Sequence, residues 1–486
     1  MLRRQFKYIM KFTGNSKMTD KYKNKKNGSF VKVLALLALF AMLFSSLLMT
    51  VLADEADGDD AEEADPYAVP VIDEAPYIYL YNFENDTVLF EKGEMSNPVY
   101  PTSTVKIMAG ITAIEALGED GLSKTVTVTE GMLAAAIGNK VGFKAGETVS
   151  AEQMLNAMLV NGANDAAIIL AHIVADGVED FVFMMNEKAI EIGALSTSYA
   201  NPTGMHSEAM YTTTADTVTI AKYAYENPLF MEIVSRQLYQ MDATNMSEAR
   251  KLYNRNCLVS KYYRSEYYYD YAMGMNAGST TQGGYASVSV ARSPDGLLTY
   301  LCVIMGAEAV PAETEGGRDK LTNYTGAIEM FNWAFRSYGY RDVLSPSTVV
   351  CEVPVKLSST ADYITLVPKE KLSVFLKADV DIKREIKITS TTEENIAAPI
   401  IKGQKLGNAK VMQGDVELGR VDLIATSDIS RSEFLSALER IGEFTKSKFF
   451  IATVISAAVL SVVYVLFTAR VRQKRLRTRV PRNYRR

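Results

Sequence analysis

At residues 100–106 the chain reads YPTSTVK, and a run of apolar residues at helical spacing follows from 105 to 117. Ser103 therefore stands just before a predicted helix, and Lys106 lies one turn later on the same face. A buried lysine with a lowered pKa can deprotonate a serine hydroxyl, and the N-terminus of a helix favours the negative charge that results. Taken alone, a serine and a lysine at this spacing are also typical of a helix N-cap followed by a surface lysine.

The sequence around this motif predicts a mixed α/β domain over residues 75–344. Strands are predicted from runs rich in β-branched and aromatic residues, and helices from apolar residues at helical spacing. The strand runs lie at residues 77–81, 87–90, 286–290 and 298–305, and the helical runs at 105–117, 151–174 and 325–338. The second helical run is interrupted near Asn161-Gly162, so we expect a break in the helix there.

Short strand-like runs separated by turns replace this pattern after residue 345. They lie at residues 349–355, 372–376, 386–388, 409–412 and 421–425. This spacing predicts a small all-β sandwich or barrel over residues 345–429. A helical pattern over residues 430–448 then connects the β-rich part to the last apolar segment of the chain.

An apolar run near the N-terminus, at residues 33–52, follows a cluster of lysines and precedes Asp54. Small residues stand where signal peptidase cuts, so we predict a secretory signal over residues 1–53 that is cleaved after Ala53. Met18 is an alternative start that would give a basic region of ordinary length. The run is also about long enough to remain as a membrane anchor. Residues 54–74 are dense in acidic side chains and predict an unfolded linker.

A second apolar run, at residues 449–469, contains no charged side chain. Its length is about that of a membrane-spanning helix. The basic tail at residues 470–486 follows at once, so the positive-inside rule places the tail in the cytoplasm and the predicted domains outside the cell membrane. The alternative is a buried core helix followed by a solvated basic tail.

Composition excludes several classes of protein. The formal net charge of −5 gives no reason to expect nucleic-acid binding. The three cysteines are sparse and odd in number, so they predict no disulfide framework. The two histidines, His172 and His206, do not lie at metal-ligand spacing, and neither belongs to a triad-type motif. We therefore predict no metal and no cofactor.

Further short motifs accompany Ser103 and Lys106 in a fixed order. They read VGFKAGE at 141–147, NGANDAA at 161–167, NPTGM at 201–205, NRN at 254–256 and GMNAGST at 274–280. In order and spacing this set resembles the serine-type D-alanyl-D-alanine carboxypeptidase family of low-molecular-mass penicillin-binding proteins. The resemblance runs from about residue 75 to residue 340 and continues more weakly through APIIKGQ at 398–404.

The resemblance implies a fold and two roles for the first motif. The expected fold is an α/β (α+β) penicillin-recognising domain of the serine transpeptidase/β-lactamase type, followed by the small all-β domain and the C-terminal membrane helix. Ser103 is the expected acylated nucleophile, and Lys106 is its expected base. The second motif of the family, SxN, falls on 162–164, where Asn164 is kept as a catalytic residue and Gly162 replaces the serine.

The third motif of the family, KTG, falls on 276–278, where Asn276 and Ala277 replace the lysine and the threonine. The resemblance makes Asn276, Gly278 and Ser279 the expected substrate-binding residues, with the backbone N–H groups of Ser103 and Ser279 as the oxyanion hole. Asn276 is neutral, so it lacks the charge that the family places near the substrate's carboxylate. The sequence contains no lysine between Lys261 and Lys320, so a replacement cation must come from elsewhere in the fold.

Two functions from different classes follow from these motifs. The first is an enzyme that removes the terminal D-alanine from peptidoglycan stem peptides through an acyl-serine intermediate, with impaired activity, and that β-lactams would acylate. The second is a catalytically inactive relative that binds cell wall or a partner protein. Ser103 and Lys106 favour the enzyme, whereas Gly162, Asn276 and Ala277 favour the inactive relative.

Overall fold

The computed structural model describes residues 65–313 and 317–477. The predicted signal segment over 1–53, most of the predicted acidic linker over 54–74 and the end of the predicted basic tail lie outside the described residues. The first described strand begins at Tyr77, and the last described helix ends at Arg477.

Helices and strands alternate through the N-terminal part of the described chain. In chain order they are β1 (Tyr77–Asn82), β2 (Thr87–Lys92), β3 (Pro98–Val99), α1 (Val105–Gly121), β4 (Thr125–Thr127), α2 (Glu130–Ala135), β5 (Thr148–Ser150), α3 (Ala151–Leu159), α4 (Asn164–Val174), α5 (Val178–Glu191), β6 (Thr212–Thr213), α6 (Thr214–Tyr225), α7 (Pro228–Ser235), β7 (Leu238–Met241), β8 (Arg250–Tyr253), β9 (Ala272–Thr280), β10 (Gly284–Arg292), β11 (Thr299–Ala307), β12 (Ala309–Val310), β13 (Lys320–Leu321), α8 (Thr322–Ser337) and β14 (Tyr338–Leu344).

A five-stranded antiparallel sheet with the order β2-β1-β11-β10-β9 organises this part of the chain. The predicted hairpin forms β1 and β2, and the two later predicted strands form β10 and β11. Leu80 of β1 pairs with Cys302, and Val288 of β10 pairs with Val303. Strand β9 lies at the edge of the sheet, so one side of its backbone has no neighbouring strand.

Helices cover both faces of this sheet. Val288 and Val303 belong to one buried cluster with residues of α1, α3 and α4, whereas Leu80 and Cys302 belong to a second cluster with residues of α8. Because both faces are buried, β11 reads as a nearly continuous apolar run.

The predicted interruption of the second helical run is present. Helix α3 ends at Leu159 and α4 begins at Asn164. Ser150 and Gln153 form a reciprocal capping box at the start of α3. The chain therefore leaves α3 and enters α4 through residues 160–163, which carry part of the predicted second motif.

The β-rich part predicted after residue 345 is also present. Its elements are β15 (Cys351–Pro354), β16 (Tyr363–Pro368), β17 (Leu372–Lys377), the short helix α9 (Ile382–Glu385), β18 (Ile386–Thr392), β19 (Lys405–Gln413) and β20 (Val416–Ala425). Five of these strands form a sheet with the order β15-β16-β20-β19-β18. Strand β14 lies before the predicted boundary at 345 and pairs with β17 after it. The sequence patterns missed β16, which supplies the buried Ile364 and Leu366.

Two helices end the described chain, namely α10 (Glu433–Lys446) and α11 (Lys448–Arg477). Within residues 448–475 of α11, an apolar stretch of 18 residues has a mean hydropathy of 2.5. None of that stretch is buried within the described protein. The alternative of a buried core helix is therefore wrong for this segment, which remains a candidate membrane span by length and composition.

Candidate active site

Ser103 lies in a tight turn between β3 and α1. Thr102–Thr104 form one turn of 3₁₀ helix, and α1 continues from it at Val105. Thr102 adopts a φ of 52°, a left-handed conformation that is unusual for a β-branched residue. Such backbone strain persists only where the surrounding structure enforces it.

The NPTG loop at residues 201–204 enforces this turn. Gly204 has a φ of 83°, and a Cβ at this position would collide with the carbonyl oxygen of Thr102. Asn201 holds the loop through its side-chain oxygen, which accepts hydrogen bonds from the backbone N–H groups of Thr203 (3.1 Å) and Gly204 (2.9 Å). The loop therefore presses against the backbone that positions Ser103, and only glycine fits at the point of contact.

Lys106 is buried beneath the turn, with 1% of its side chain exposed. Its Nζ donates a hydrogen bond to the carbonyl oxygen of Thr203 at 2.5 Å. No carboxylate of the described residues forms an ion pair with it. Burial lowers the pKa of Lys106 from 10.5 to about 7, because desolvation penalises the charged form. A large fraction of the amine is therefore neutral near pH 7, which is the protonation state that a general base needs.

The edge strand β9 passes next to Ser103 at Gly278. A Cβ on residue 278 would lie 2.5 Å from both the Cβ and the Oγ of Ser103. A methyl group at this position would therefore occupy the space of the serine side chain. Ser279 follows Gly278 and lines the same cleft as Ser103.

Asn276 lies two residues before Gly278, so both residues point to the same face of β9. Its side chain is only 5% exposed, and Asn276 does not line the cleft. Its Oδ1 is buried without a hydrogen-bond partner among the described residues. Ala277 does line the cleft but carries no polar group. Neither Asn276 nor Ala277 therefore presents a side-chain hydrogen-bonding group to a ligand at the surface of the cleft.

The chain between α3 and α4 forms the opposite wall of the cleft. Gly162 lines it with a φ of 70°, and a Cβ there would lie no closer than 3.8 Å to any other residue. The space at residue 162 could hold a larger side chain, but any residue other than glycine would have a strained backbone in this left-handed conformation. Asn164 is 5% exposed and donates from Nδ2 to the carbonyl oxygen of Ile137 at 2.6 Å. Its Oδ1 is buried and unpaired among the described residues.

Asp165 organises the loop that faces Gly162, a role that the sequence analysis did not assign. Its buried carboxylate accepts hydrogen bonds from the backbone N–H groups of Val141 (3.1 Å) and Gly142 (2.9 Å). Two residues before Val141, Asn139 donates from Nδ2 to the carbonyl oxygen of Asn161 at 2.7 Å. Asp165 thereby helps to hold Asn139 at the wall of the cleft.

These elements enclose a cleft of about 410 Å³. It brings together the predicted residues Ser103, Gly162, Ala277, Gly278 and Ser279, whereas Lys106, Asn164 and Asn276 lie behind its surface. The segment from 254 to 264 adds a wall that includes Arg255, Tyr263 and Arg264. The NRN motif is visible in the sequence but indicates no role for Arg255, because the nearness of Arg255 to Ser103 arises only in the folded chain.

Known proteins match the chain over most of the described residues. Residues 70–309 match the family described as D-alanyl-D-alanine carboxypeptidase. Residues 338–431 match the C-terminal domain of penicillin-binding protein 5. The resemblance inferred from the short motifs is therefore confirmed, and it extends through the β-rich part of the chain.

Individual relatives agree with these matches. The D-alanyl-D-alanine carboxypeptidase DacF of Bacillus subtilis is 27% identical over 77% of this chain and 91% of its own length. The enzyme DacC of Escherichia coli is 24% identical over 78% of this chain and 89% of its own length. The structure of penicillin binding protein 5 from Haemophilus influenzae superposes with a TM-score of 0.51 at 20% identity, over 75% of this chain and 99% of that one. The chain belongs to the D-alanyl-D-alanine carboxypeptidase family.

Proposed function

We propose that this protein is a serine-type D-Ala-D-Ala carboxypeptidase that acts on peptidoglycan stem peptides, at a rate well below that of relatives with all three motifs intact. The observation that carries the proposal is that Ser103 lines the cleft, while Lys106, three residues later, is buried with its pKa lowered to about 7. A largely neutral amine one helical turn after a serine is suited to act as the base for that serine. The names of the family and of its relatives support the substrate class.

The chemistry needs no group beyond the protein and water. Neutral Lys106 takes the proton of the Ser103 hydroxyl, and Oγ attacks the carbonyl carbon of the peptide bond before the terminal D-alanine. The backbone N–H groups of Ser103 and Ser279 would hold the oxyanion. The C–N bond then breaks, a proton passes to the leaving amine, and D-alanine departs. Water hydrolyses the resulting acyl-serine ester and restores Ser103.

The reduced rate follows from the side chains around this centre. Gly162 offers no hydroxyl to pass a proton to the leaving amine. Asn276 is neutral and lies behind the surface of the cleft. Ala277 lines the cleft without a hydroxyl that could bind the substrate's carboxylate. The nucleophile and base are therefore present, whereas the groups that assist them are missing.

The mass of the intact protein after incubation with a penicillin tests this proposal. We expect an increase equal to one penicillin molecule, since opening of the β-lactam ring by Ser103 adds the whole molecule to the chain. Ser103→Ala should show no increase. A penicillin adduct that persists in Ser103→Ala would assign the covalent chemistry to another residue.

A second function is favoured by Gly162, Asn276 and Ala277 together. A relative that has lost turnover would use the cleft or the β-rich part to bind cell wall or a partner protein. The absence of any penicillin adduct, with binding of peptidoglycan fragments retained, would select this function over the enzyme.

We further propose that the protein is anchored in the cell membrane by α11, with the folded domains outside. Helix α10 supports this placement, because it carries an exposed apolar stripe immediately before α11. The stripe consists of Phe434, Leu438, Ile441 and Phe444. Such a stripe is typical of a helix that lies in the membrane–water interface. Arg470 and Arg472 follow the apolar run on the side that the positive-inside rule places in the cytoplasm.

Protease added to intact protoplasts should therefore degrade the folded domains and spare an epitope tag placed after residue 486. Lysed protoplasts serve as the control, in which the tag should also be degraded. Protection of the domains in intact protoplasts would contradict the proposed topology.

A further inference from the structure

Three tyrosine side chains form an exposed patch beside the cleft. They are Tyr253, at the end of β8, and Tyr262 and Tyr263, in the segment between β8 and β9. Their residues are 40%, 59% and 37% exposed, in that order. The ring centres of Tyr253 and Tyr262 lie 5.0 Å apart, with the ring planes inclined at 42°. These three residues are called the tyrosine patch below.

The tyrosine patch is continuous with the cleft that contains Ser103. Tyr263 itself lines the cleft. The carbonyl oxygen of Tyr253 accepts a hydrogen bond from Nδ2 of Asn161 at 3.2 Å, and Asn161 also lines the cleft. The guanidinium carbon of Arg255, another lining residue, lies 4.4 Å from the centre of the Tyr263 ring. A ligand that extends out of the cleft on this side therefore meets the aromatic rings of the patch.

Buried polar side chains hold the backbone of the patch in place. The hydroxyl of Ser260, which is fully buried, accepts hydrogen bonds from the backbone N–H groups of Tyr262 (3.2 Å) and Tyr263 (3.1 Å). The buried Asn254, next to Tyr253, donates from Nδ2 to two backbone carbonyl oxygens at 3.1 Å and 2.8 Å. Because the backbone is fixed and a tyrosine has few rotatable bonds, little conformational freedom is lost when a ligand orders the rings.

The composition of the patch indicates the chemistry of its ligand. Within residues 247–270, all of which the structure describes, the three tyrosines are accompanied by no exposed aliphatic side chain. A tyrosine combines an apolar ring face with a polar hydroxyl. A pyranose ring is amphipathic in the same way, since its C–H faces are apolar and its hydroxyl groups point outward. A lipid surface or an apolar helix would instead need a wider face with aliphatic side chains.

We propose that the tyrosine patch binds the glycan of peptidoglycan, with pyranose rings stacked on Tyr253 and Tyr262. The C–H face of a sugar would lie on the aromatic rings, and the tyrosine hydroxyls would exchange hydrogen bonds with its polar groups. No covalent bond forms or breaks at this site. The inference rests on the proposed function for its ligand, since it takes peptidoglycan as the material that the cleft meets.

Binding of a glycan that carries no peptide tests the patch separately from the cleft. The probe is the linear tetramer of N-acetylglucosamine, titrated by calorimetry into the full-length protein in detergent. One aromatic stacking contact is worth about two- to tenfold in affinity. We therefore expect Tyr253→Ser combined with Tyr262→Ser to weaken binding at least about fourfold. Tyr253→Phe combined with Tyr262→Phe keeps both rings and should retain most of the affinity.

Tyr363→Ser is the matched control. Tyr363 is 62% exposed, close to the 59% of Tyr262, but it lies in β16 of the β-rich part. Its removal should leave the affinity for the tetramer unchanged. A thermal unfolding curve reports whether each variant is folded. Reaction of Ser103 with penicillin should be the same in all variants, because neither Tyr253 nor Tyr262 lines the cleft.

Four outcomes would overturn the inference. They are no binding of the tetramer by the unmodified protein, full affinity in the folded double serine variant, an equal loss of affinity in Tyr363→Ser, and a loss in the phenylalanine variant as large as in the serine variant. Failure of the proposed enzyme function is distinguishable from these. A protein that forms no penicillin adduct but binds the tetramer through Tyr253 and Tyr262 would reject the enzyme and support the inference.

Discussion

Lys106→Met should reduce the rate at which a β-lactam acylates Ser103 by roughly 10³-fold, within the range that general bases contribute. The side chain of methionine is similar in length and apolar, so it can fill the buried site without accepting a proton. The same substitution should raise the melting temperature. It removes an amine that is buried with only the Thr203 carbonyl as its hydrogen-bond partner among the described residues. Active-site residues that are strained or desolvated commonly lower the stability of the fold, so replacing them can raise stability while activity is lost.

The pH dependence of the unmodified protein follows from the same pKa. The base must be neutral to accept a proton, so the acylation rate should rise with pH through about 7. The pKa of Lys106 is lower in the folded protein than in the unfolded chain, where it is near 10.5. The unfolded chain therefore binds more protons between about pH 7 and 10.5, and the free energy of unfolding should increase with pH across that window.

Acylation rates and urea midpoints measured from about pH 6 to pH 10, for the unmodified protein and for Lys106→Met, check both effects. The difference in stability between the two proteins should shrink as pH rises, because removing the proton of the amine on folding then costs less free energy. Unchanged acylation in Lys106→Met would place the base elsewhere. A variant that is less stable at every pH would show that the amine stabilises the fold.

Local patterns were sufficient to predict the elements that carry the first motif. The turn before α1 places Ser103 and Lys106 one helical turn apart, and the break between α3 and α4 lies where Asn161-Gly162 interrupts the helical pattern. Both features depend on residues close together in sequence. Apolar residues at helical spacing indicate a helix, and a glycine within such a pattern indicates where the helix can break.

Contacts between distant segments could not be predicted in this way. Arg255 and Ser103 share a cleft only because the segment before β9 and the turn before α1 both line it in the folded chain. The burial of Asn276 has the same origin, since its position in the third motif gave no indication that it would lie behind the surface of the cleft. Strand β16 was missed, although it supplies the buried Ile364 and Leu366 to the β-rich part.

Restoring the family's side chains with Gly162→Ser, Asn276→Lys and Ala277→Thr should increase the rate of D-alanine release by roughly 10²- to 10⁴-fold. A hydrogen bond to a charged group is worth about 1.5–3 kcal/mol, and each 1.36 kcal/mol corresponds to about tenfold in rate. A hydroxyl that relays a proton to the leaving amine adds roughly 10²-fold. The range is wide because groups that share one cleft need not contribute additively.

The structure adds an expected loss of stability to this prediction. Gly162 has a φ of 70°, so a serine there would be strained by about 1–2 kcal/mol even though its side chain has space. The lysine introduced by Asn276→Lys would replace a buried side chain and must extend toward the cleft to place its ammonium in water or on the ligand. The restored protein should therefore unfold at a lower temperature while it releases D-alanine faster.

Release of D-alanine from a stem pentapeptide, measured in the unmodified and restored proteins, tests the argument. Restoration in the Ser103→Ala background is the control and should release no D-alanine.

One possible outcome is that the unmodified protein already releases D-alanine as fast as the restored one. In that case Arg255 is the first candidate for the missing assistance, because it lines the cleft without an acidic partner among the described residues. Arg255→Gln should then slow the unmodified protein much more than the restored one, in which the lysine introduced by Asn276→Lys would supply positive charge in its place. Equal slowing of the two would instead show that the two cations act on different parts of the substrate.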